Sequence, residues 1–276
     1  MLKSLFLSCY TLLMVSPVLP SGLALGIIAF LLSLLPAAFF VWFWYLRRQQ
    51  RALPPRTVAL AFLGGIGLVP IAFWLEAGAE RLWRVFSPST VHLFHTTPVP
   101  LVSLADAILP AVAAFLVVAL AEEGGRYLLM KYWFRFSKYV DQVFDGMVIG
   151  IGVGVGFATL ENTLYFLTLF QNGSYDTLVF VFFLRFLIST LAHISFAGLM
   201  GMLLAQRKLE YLSARRFGLI AFFVPWFLHG AFDWLLALNF GAYSVVLLLP
   251  AIAALTYWAG QAESFIIQSQ DGLAFL

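Results

Sequence analysis

A chain of 276 residues, 62% of them apolar and 11% charged, with a mean hydropathy of +0.95, lies far outside the composition of soluble globular domains and marks a polytopic membrane protein. The formal net charge of +3 is too small to indicate nucleic-acid binding, and the single cysteine, Cys9, excludes a disulfide framework and a thiolate metal cluster. Any metal would need histidine and carboxylate ligands.

Residues 4–19, apolar behind Lys3, have the basic start and apolar core of a signal peptide. They are read instead as a short first span, because Val18-Leu19-Pro20-Ser21-Gly22 is a poor small-residue cleavage site and the next apolar run begins at once. Runs near the length of about 20 residues that crosses a bilayer follow at 22–46, 57–75, 104–125, 145–170, 177–205, 217–238 and 242–260. The fold expected is all-α, a polytopic helical bundle of about eight spans, or seven if residues 4–19 are cleaved. Trp42, Trp44 and Tyr45 suit a headgroup belt.

Basic residues alternate between loops. Arg47, Arg48, Arg51 and Arg56 cluster in one, Arg126, Lys131, Arg135 and Lys138 in another, and Arg207, Lys208, Arg215 and Arg216 in a third. The intervening loops are poor in them, since Arg81 and Arg84 are offset by Glu76 and Glu80, while 171–176 and 239–241 carry no Lys or Arg. The positive-inside rule then places the three basic loops and both termini in the cytoplasm. The longest connection, about 76–103, holds Pro88, Pro98, Pro100, His92 and His95 and reads as an extracytoplasmic loop. Glycine at every second position from Gly150 to Gly156 lacks the spacing of a phosphate-binding loop. Gly152 and Gly156 are spaced for close helix–helix approach.

Charged groups at bilayer depth are costly and usually face a bundle interior or an aqueous cavity. Those inside apolar runs are Glu122, Glu123 and Arg126; Glu161 and Asn162; Arg185; His193; and His229 and Asp233, on four consecutive predicted helices. Glu122 with Arg126, and His229 with Asp233, are spaced i,i+4 and share a helix face. Taken singly, a Glu–Arg pair is more often a salt bridge at the membrane rim, an intramembrane His an interhelical hydrogen bond, and Arg185 a side chain snorkelling from the outer end of its helix. Four such features on four neighbouring helices are a costly arrangement if packing is their only use. Counting from the basic loops, Glu122 falls near the cytoplasmic half and Glu161 at mid-membrane or beyond.

Two imidazoles and a carboxylate meet the three-ligand pattern of a catalytic zinc with one open position, and a further unligated Glu could act as base on its water. The soluble His-Glu-x-x-His signature is absent, so ligands would converge from separate helices. Ser189 or Ser195 with His193 lacks a nucleophile elbow, and Asp233 has no intramembrane Asp partner for an aspartyl dyad. An ion- or proton-coupled transporter and a noncatalytic membrane scaffold would use the same cluster, although no inverted repeat or matched pair of broken helices supports transport.

Four motifs in order, Glu122-Glu123-Gly-Gly-Arg126, Phe157-Ala-Thr-Leu-Glu161-Asn162, His193 and His229-Gly-Ala-Phe-Asp233, resemble the PrsW family of intramembrane metalloproteases, related to the CAAX protease and bacteriocin-processing superfamily. The resemblance spans about 105–240 and implies an intramembrane endopeptidase of the bacterial cytoplasmic membrane, embedded in the lipid bilayer and acting on membrane-bound protein substrates such as an anti-sigma factor. It implies Glu122 as general base, with Glu123 and Arg126 orienting or neutralising it. Glu161, His193 and His229 are then ligands of a metal, Zn2+, or of a metal-free activated water, and Asn162 and Asp233 supporting residues, Asp233 holding the His229 imidazole. CAAX-type relatives carry His in place of Glu161 and Asn in place of Asp233, which argues against prenylated substrates. The chain, 1–276, is then one integral membrane domain: 1–100 the N-terminal spans and extracytoplasmic loop, 105–240 a four-helix catalytic core, and 241–276 the last span and a short cytoplasmic tail.

Overall fold

The structure, a computed structural model, describes residues 19–43, 53–86, 104–136, 138–209 and 214–273. Most of the proposed first span, the basic residues Arg47, Arg48 and Arg51, Cys9, Trp44, Tyr45, His92 and His95 lie outside them. Seven long helices make up the described residues, which contain no strand. Helix α1 is Leu19–Val41 and α2 is Pro55–Phe86. Helix α3 runs through 104–136 and contains a π-helical turn, Ala114–Ala119. Helix α4 is Val143–Gln171, α5 spans 175–209 with a second π-helical turn at Arg185–Ser189, α6 is Ala214–Ala237 and α7 is Gly241–Leu273.

Six of these are long and apolar enough to cross a membrane, and α7 contributes a shorter apolar stretch, Gly241–Tyr257. A helix satisfies its own backbone polar groups, so every long apolar run becomes one. The expected span positions hold among the described residues, with corrections at their ends, including α7, whose helix continues past residue 260 to Leu273. Residues 76–86 continue α2 rather than opening a loop, and α3 does not stop at residue 125 but reaches Phe136. Arg126 is therefore a mid-helix residue with no exposed surface, not a loop residue. Lipid-facing positions remain apolar, as at Leu63, Trp74, Phe180 and Phe227. Several buried hydroxyls in the spans donate to their own helix four residues back, as Thr159 does to Val155 O and Thr163 to Thr159 O, which removes the cost of placing them there.

Helix α4 is the centre of the bundle, with 83% of its apolar window buried against 28–33% in the other spans. It starts at a capping box, where the Asp145 carboxylate accepts from the backbone N–H of Gln142 at 3.0 Å, and ends at Gly173, whose φ of 68° turns the chain into α5. Its alternating glycines form two stripes. Steps of two residues turn a helix by about 200°, so consecutive glycines face nearly opposite neighbours. Gly146, Gly150 and Gly154 face α5, where an added Cβ would come within 2.4 Å of Gly201 O, 2.2 Å of Ala197 O and 2.5 Å of His193 O. Gly152 and Gly156 face α2, at 2.9 Å from Ala61 Cβ and 1.9 Å from Phe62 O. The Gly152/Gly156 pair predicted for close approach is thus one of two contact faces. Backbone-to-backbone packing on both sides holds α4 between α2 and α5 and fixes how far Glu161 lies from His193.

Helix α6 is pinned to α3 by its tryptophans. Trp226 Nε1 donates to Phe115 O at 2.8 Å, within the π-helical turn, and Trp234 Nε1 donates to Ala107 O at 2.9 Å. A Cβ at Gly230 would stand 2.3 Å from the Phe115 ring, so the glycine after His229 lets that ring lie against the backbone.

Candidate active site

The polar residues singled out on α3, α4, α5 and α6 meet at one level. Measured from the helix ends that carry the basic residues, Glu122, Glu161, His193 and His229 each lie about 14–18 residues, roughly 21–27 Å, along their helices. The depth mismatch expected from the apolar runs disappears because α3 continues well past Arg126. Glu122, Glu123, Arg126, Glu161, Asn162, Arg185, His193 and His229 are all buried, and Asp233 is partly exposed.

Arg126 forms the centre of the α3 side. Its guanidinium donates to Glu122 Oε2 at 2.9 Å, to Glu123 Oε1, and to His193 Nδ1 at 2.8 Å, and it lies 4.0 Å over the Phe157 ring. Glu123, wholly buried, shares Oε1 with His229 Nδ1 at 2.7 Å. Asp233, expected to hold the His229 imidazole, stands at the other ring nitrogen, 3.4 Å from Nε2, which is also 3.8 Å from Glu122 Oε2. The two imidazoles meet edge to face with centroids 5.7 Å apart, and Phe196 stacks on His229.

Glu161 on α4 faces His193 and Arg185. Its Oε2 is 2.6 Å from His193 Nε2 and its Oε1 is 2.9 Å from Arg185 Nη2. Asn162 accepts from Arg185 Nε and donates to Thr190 Oγ1 at 3.0 Å. Phe157 and Tyr165 flank Glu161 at i−4 and i+4, so one face of α4 carries a ring, a carboxylate and a ring, with Arg126 over the first ring and Arg185 over the second. Arg185 does not snorkel outward, since it is buried in this contact. The partners Tyr165, Thr190 and Phe196 were not singled out in the sequence, where a hydroxyl or ring inside an apolar run is unremarkable. Arg185 was visible there as a charge in such a run.

The donor set suits a divalent cation in three respects. Four carboxylates share two guanidinium groups here, Glu122 and Glu123 pairing with Arg126 and Glu161 with Arg185, while Asp233 faces the His229 imidazole. Glu161 Oε2 is also buried without an aligned hydrogen bond although it faces an imidazole nitrogen. Two imidazoles ligating one zinc would have ring centroids within about 6 Å, and those of His193 and His229 are 5.7 Å apart. Among the described residues no three donors enclose one point, because Glu161 crowds His193 and Arg126 fills the space between His193 and Glu122. A bound ion would replace those contacts.

Breaking a buried pair by removing one partner strands a charge and typically costs about 3–5 kcal/mol. Arg126→Met is therefore expected to lower the thermal midpoint of the purified protein sharply, as Glu122 and Glu123 lose their shared cation. An unchanged midpoint would show that the guanidinium is not neutralising them.

A family model described as PrsW family intramembrane metalloprotease matches residues 53–258. A protein named Protease PrsW from Geobacillus kaustophilus (strain HTA426) is 30% identical over 204 residues, covering 73% of this chain and 76% of that protein. Proteins of the same name from Shouchella clausii (strain KSM-K16) and Clostridioides difficile (strain 630) are each 29% identical, over 53% and 51% of this chain and 64% and 58% of their own lengths. No solved structure matches the chain.

Proposed function

Because this chain belongs to the PrsW family of intramembrane metalloproteases, we propose that it hydrolyses peptide bonds of membrane-bound protein substrates, such as an anti-sigma factor, at the site shared by α3, α4, α5 and α6. The observation that carries this reading is the meeting of Glu122 with both imidazoles, its Oε2 lying 3.8 Å from His229 Nε2 and 3.9 Å from His193 Nδ1.

In this reading Glu122 is the general base. Of the two adjacent glutamates it alone retains exposed surface, while Glu123 is sealed between Arg126 and His229. Glu122 takes a proton from the attacking water, the water oxygen adds to the scissile carbonyl carbon, and Glu122 returns the proton to the departing amide nitrogen. Arg126 fixes the Glu122 carboxylate and balances its charge. Glu123 orients His229 through Nδ1, leaving Nε2 turned toward Glu122. Glu161, His193 and His229 are the residues that would hold zinc, with Asn162 and Asp233 supporting them. A zinc held there supplies Lewis-acid polarisation of the water and the scissile carbonyl.

The test uses proteoliposomes containing the purified protein and a membrane-anchored reporter peptide. Cleavage and bound zinc should both fall when His193 and His229 are replaced together by Ala. Unchanged zinc stoichiometry in that variant would contradict ligation, and an intact reporter accompanied by ion flux would favour a transporter.

A further inference from the structure

We infer that Arg185 is a positioning residue for this site, its π-helical turn setting the guanidinium on Glu161 Oε1 so that Oε2 is aimed at the space shared with His193. The inference rests on the reading of the site given above and adds a residue to it.

The helical geometry explains why Arg185 points inward. Arg185 and His193 are eight residues apart on α5, and eight regular α-helical steps of about 100° would leave them about 80° apart around the axis. The turn Arg185–Ser189 is π-helical, with the Thr190 backbone N–H donating to Arg185 O five residues back. One extra residue absorbed in that turn brings the separation close to two full turns, so both side chains project from the same face. Both then reach Glu161 of α4, Arg185 at Oε1 over 2.9 Å and His193 at Oε2 over 2.6 Å. Without the wide turn, one of the two would be rotated away from the carboxylate.

The rest of the contact fixes the guanidinium in plane. Its Nε donates to Asn162 Oδ1, and Asn162 donates its own amide N–H to Thr190 Oγ1. Asn162 is thereby gripped by the first residue of the π turn and by the residue that closes it. Tyr165 lies 4.6 Å beneath the guanidinium. Arg185 is buried, so solvent does not compensate its charge, and Glu161 is the carboxylate it faces. The guanidinium bonds the Asn162 amide through Nε while Nη2 makes an ion pair with Glu161 without an aligned hydrogen bond, a two-point contact that a single Lys ammonium would not reproduce.

The test compares Arg185→Met, Arg185→Lys and Thr190→Val with the wild type in proteoliposomes. It reads kcat and KM separately, together with the free zinc concentration that half-loads the protein. Removing a residue that orients a ligand typically lowers metal affinity or activity by about 10- to 100-fold. Arg185→Met should show that loss in kcat and in zinc half-loading with KM little changed. Arg185→Lys should recover part of it, because the charge returns without the fork. Thr190→Val, which leaves Glu161 and Arg185 chemically intact, should show a smaller loss in the same direction, and it keeps the test open if Arg185→Met does not fold. Folded Arg185→Met with wild-type kcat and half-loading overturns the inference, as does wild-type behaviour of both Arg185→Lys and Thr190→Val. Glu122→Gln in the same assay separates the two levels. If it remains active the active-site reading fails, whereas an inactive Glu122→Gln beside a fully active Arg185→Met defeats only the role of Arg185.

Discussion

Glu122→Gln is expected to leave the bundle folded and to lower the rate of peptide-bond cleavage by about 100- to 10,000-fold, the range a positioned general base contributes. The substitution is isosteric and keeps an oxygen for the Arg126 guanidinium, which now stands 2.9 Å from Glu122 Oε2. What is lost is the capacity to take a proton from water beside the two imidazoles. Initial rates of reporter cleavage in proteoliposomes, normalised to folded protein, measure the effect, and a thermal midpoint within a few degrees of wild type shows that the fold is retained. Turnover near wild type would remove Glu122 from the base role. The change must be made at Glu122 to be informative, because Glu123 is wholly buried between Arg126 and His229 and its replacement would disturb the site as a whole.

Gly150→Val is expected to be among the most destabilising single substitutions in the protein. A Cβ at Gly150 would stand 2.2 Å from Ala197 O and 3.0 Å from Gly198 Cα, both on the backbone of α5, so no flexible side chain can move aside. Overpacking usually costs about 1–3 kcal/mol, and here the obstruction is main chain, placing the expected loss at about 3 kcal/mol or more. Activity should fall with it, since spreading α4 from α5 separates Glu161 from His193. Gly124→Ala on α3 is the control, because nothing lies within 4 Å of its added Cβ. There the helix should gain up to about 1 kcal/mol. Thermal unfolding in detergent distinguishes the two, and equal midpoints for Gly150→Val and wild type would disprove the close approach of α4 and α5.

The second prediction depends on how the glycines are distributed. The alternating pattern from Gly150 to Gly156 identifies a helix that neighbours approach closely, but not how many. Gly152 and Gly156 meet α2, whereas Gly146, Gly150 and Gly154 meet α5, and Gly154 lies against the backbone of His193 itself. The motif that packs the bundle thus also places a residue of the candidate site.

Helical class, approximate spans and the short set of groups that cannot face lipid are legible in the chain alone. Long apolar runs must satisfy their own backbone hydrogen bonds, and buried charge is too costly to be scattered without use. The i,i+4 pairing of Glu122 with Arg126 was likewise legible, because it follows from one helix alone. The partners across helices emerge from the packed bundle: Glu123 rather than Asp233 at His229 Nδ1, and Arg126 at His193 Nδ1. These choices depend on interhelical distances, which contacts such as those of Trp226 and Trp234 of α6 with the α3 backbone set. The inward turn of Arg185 was also hidden, because a π-helical turn shifts a face by one residue without leaving a mark in the hydrophobic pattern of a helix that is apolar on nearly every side.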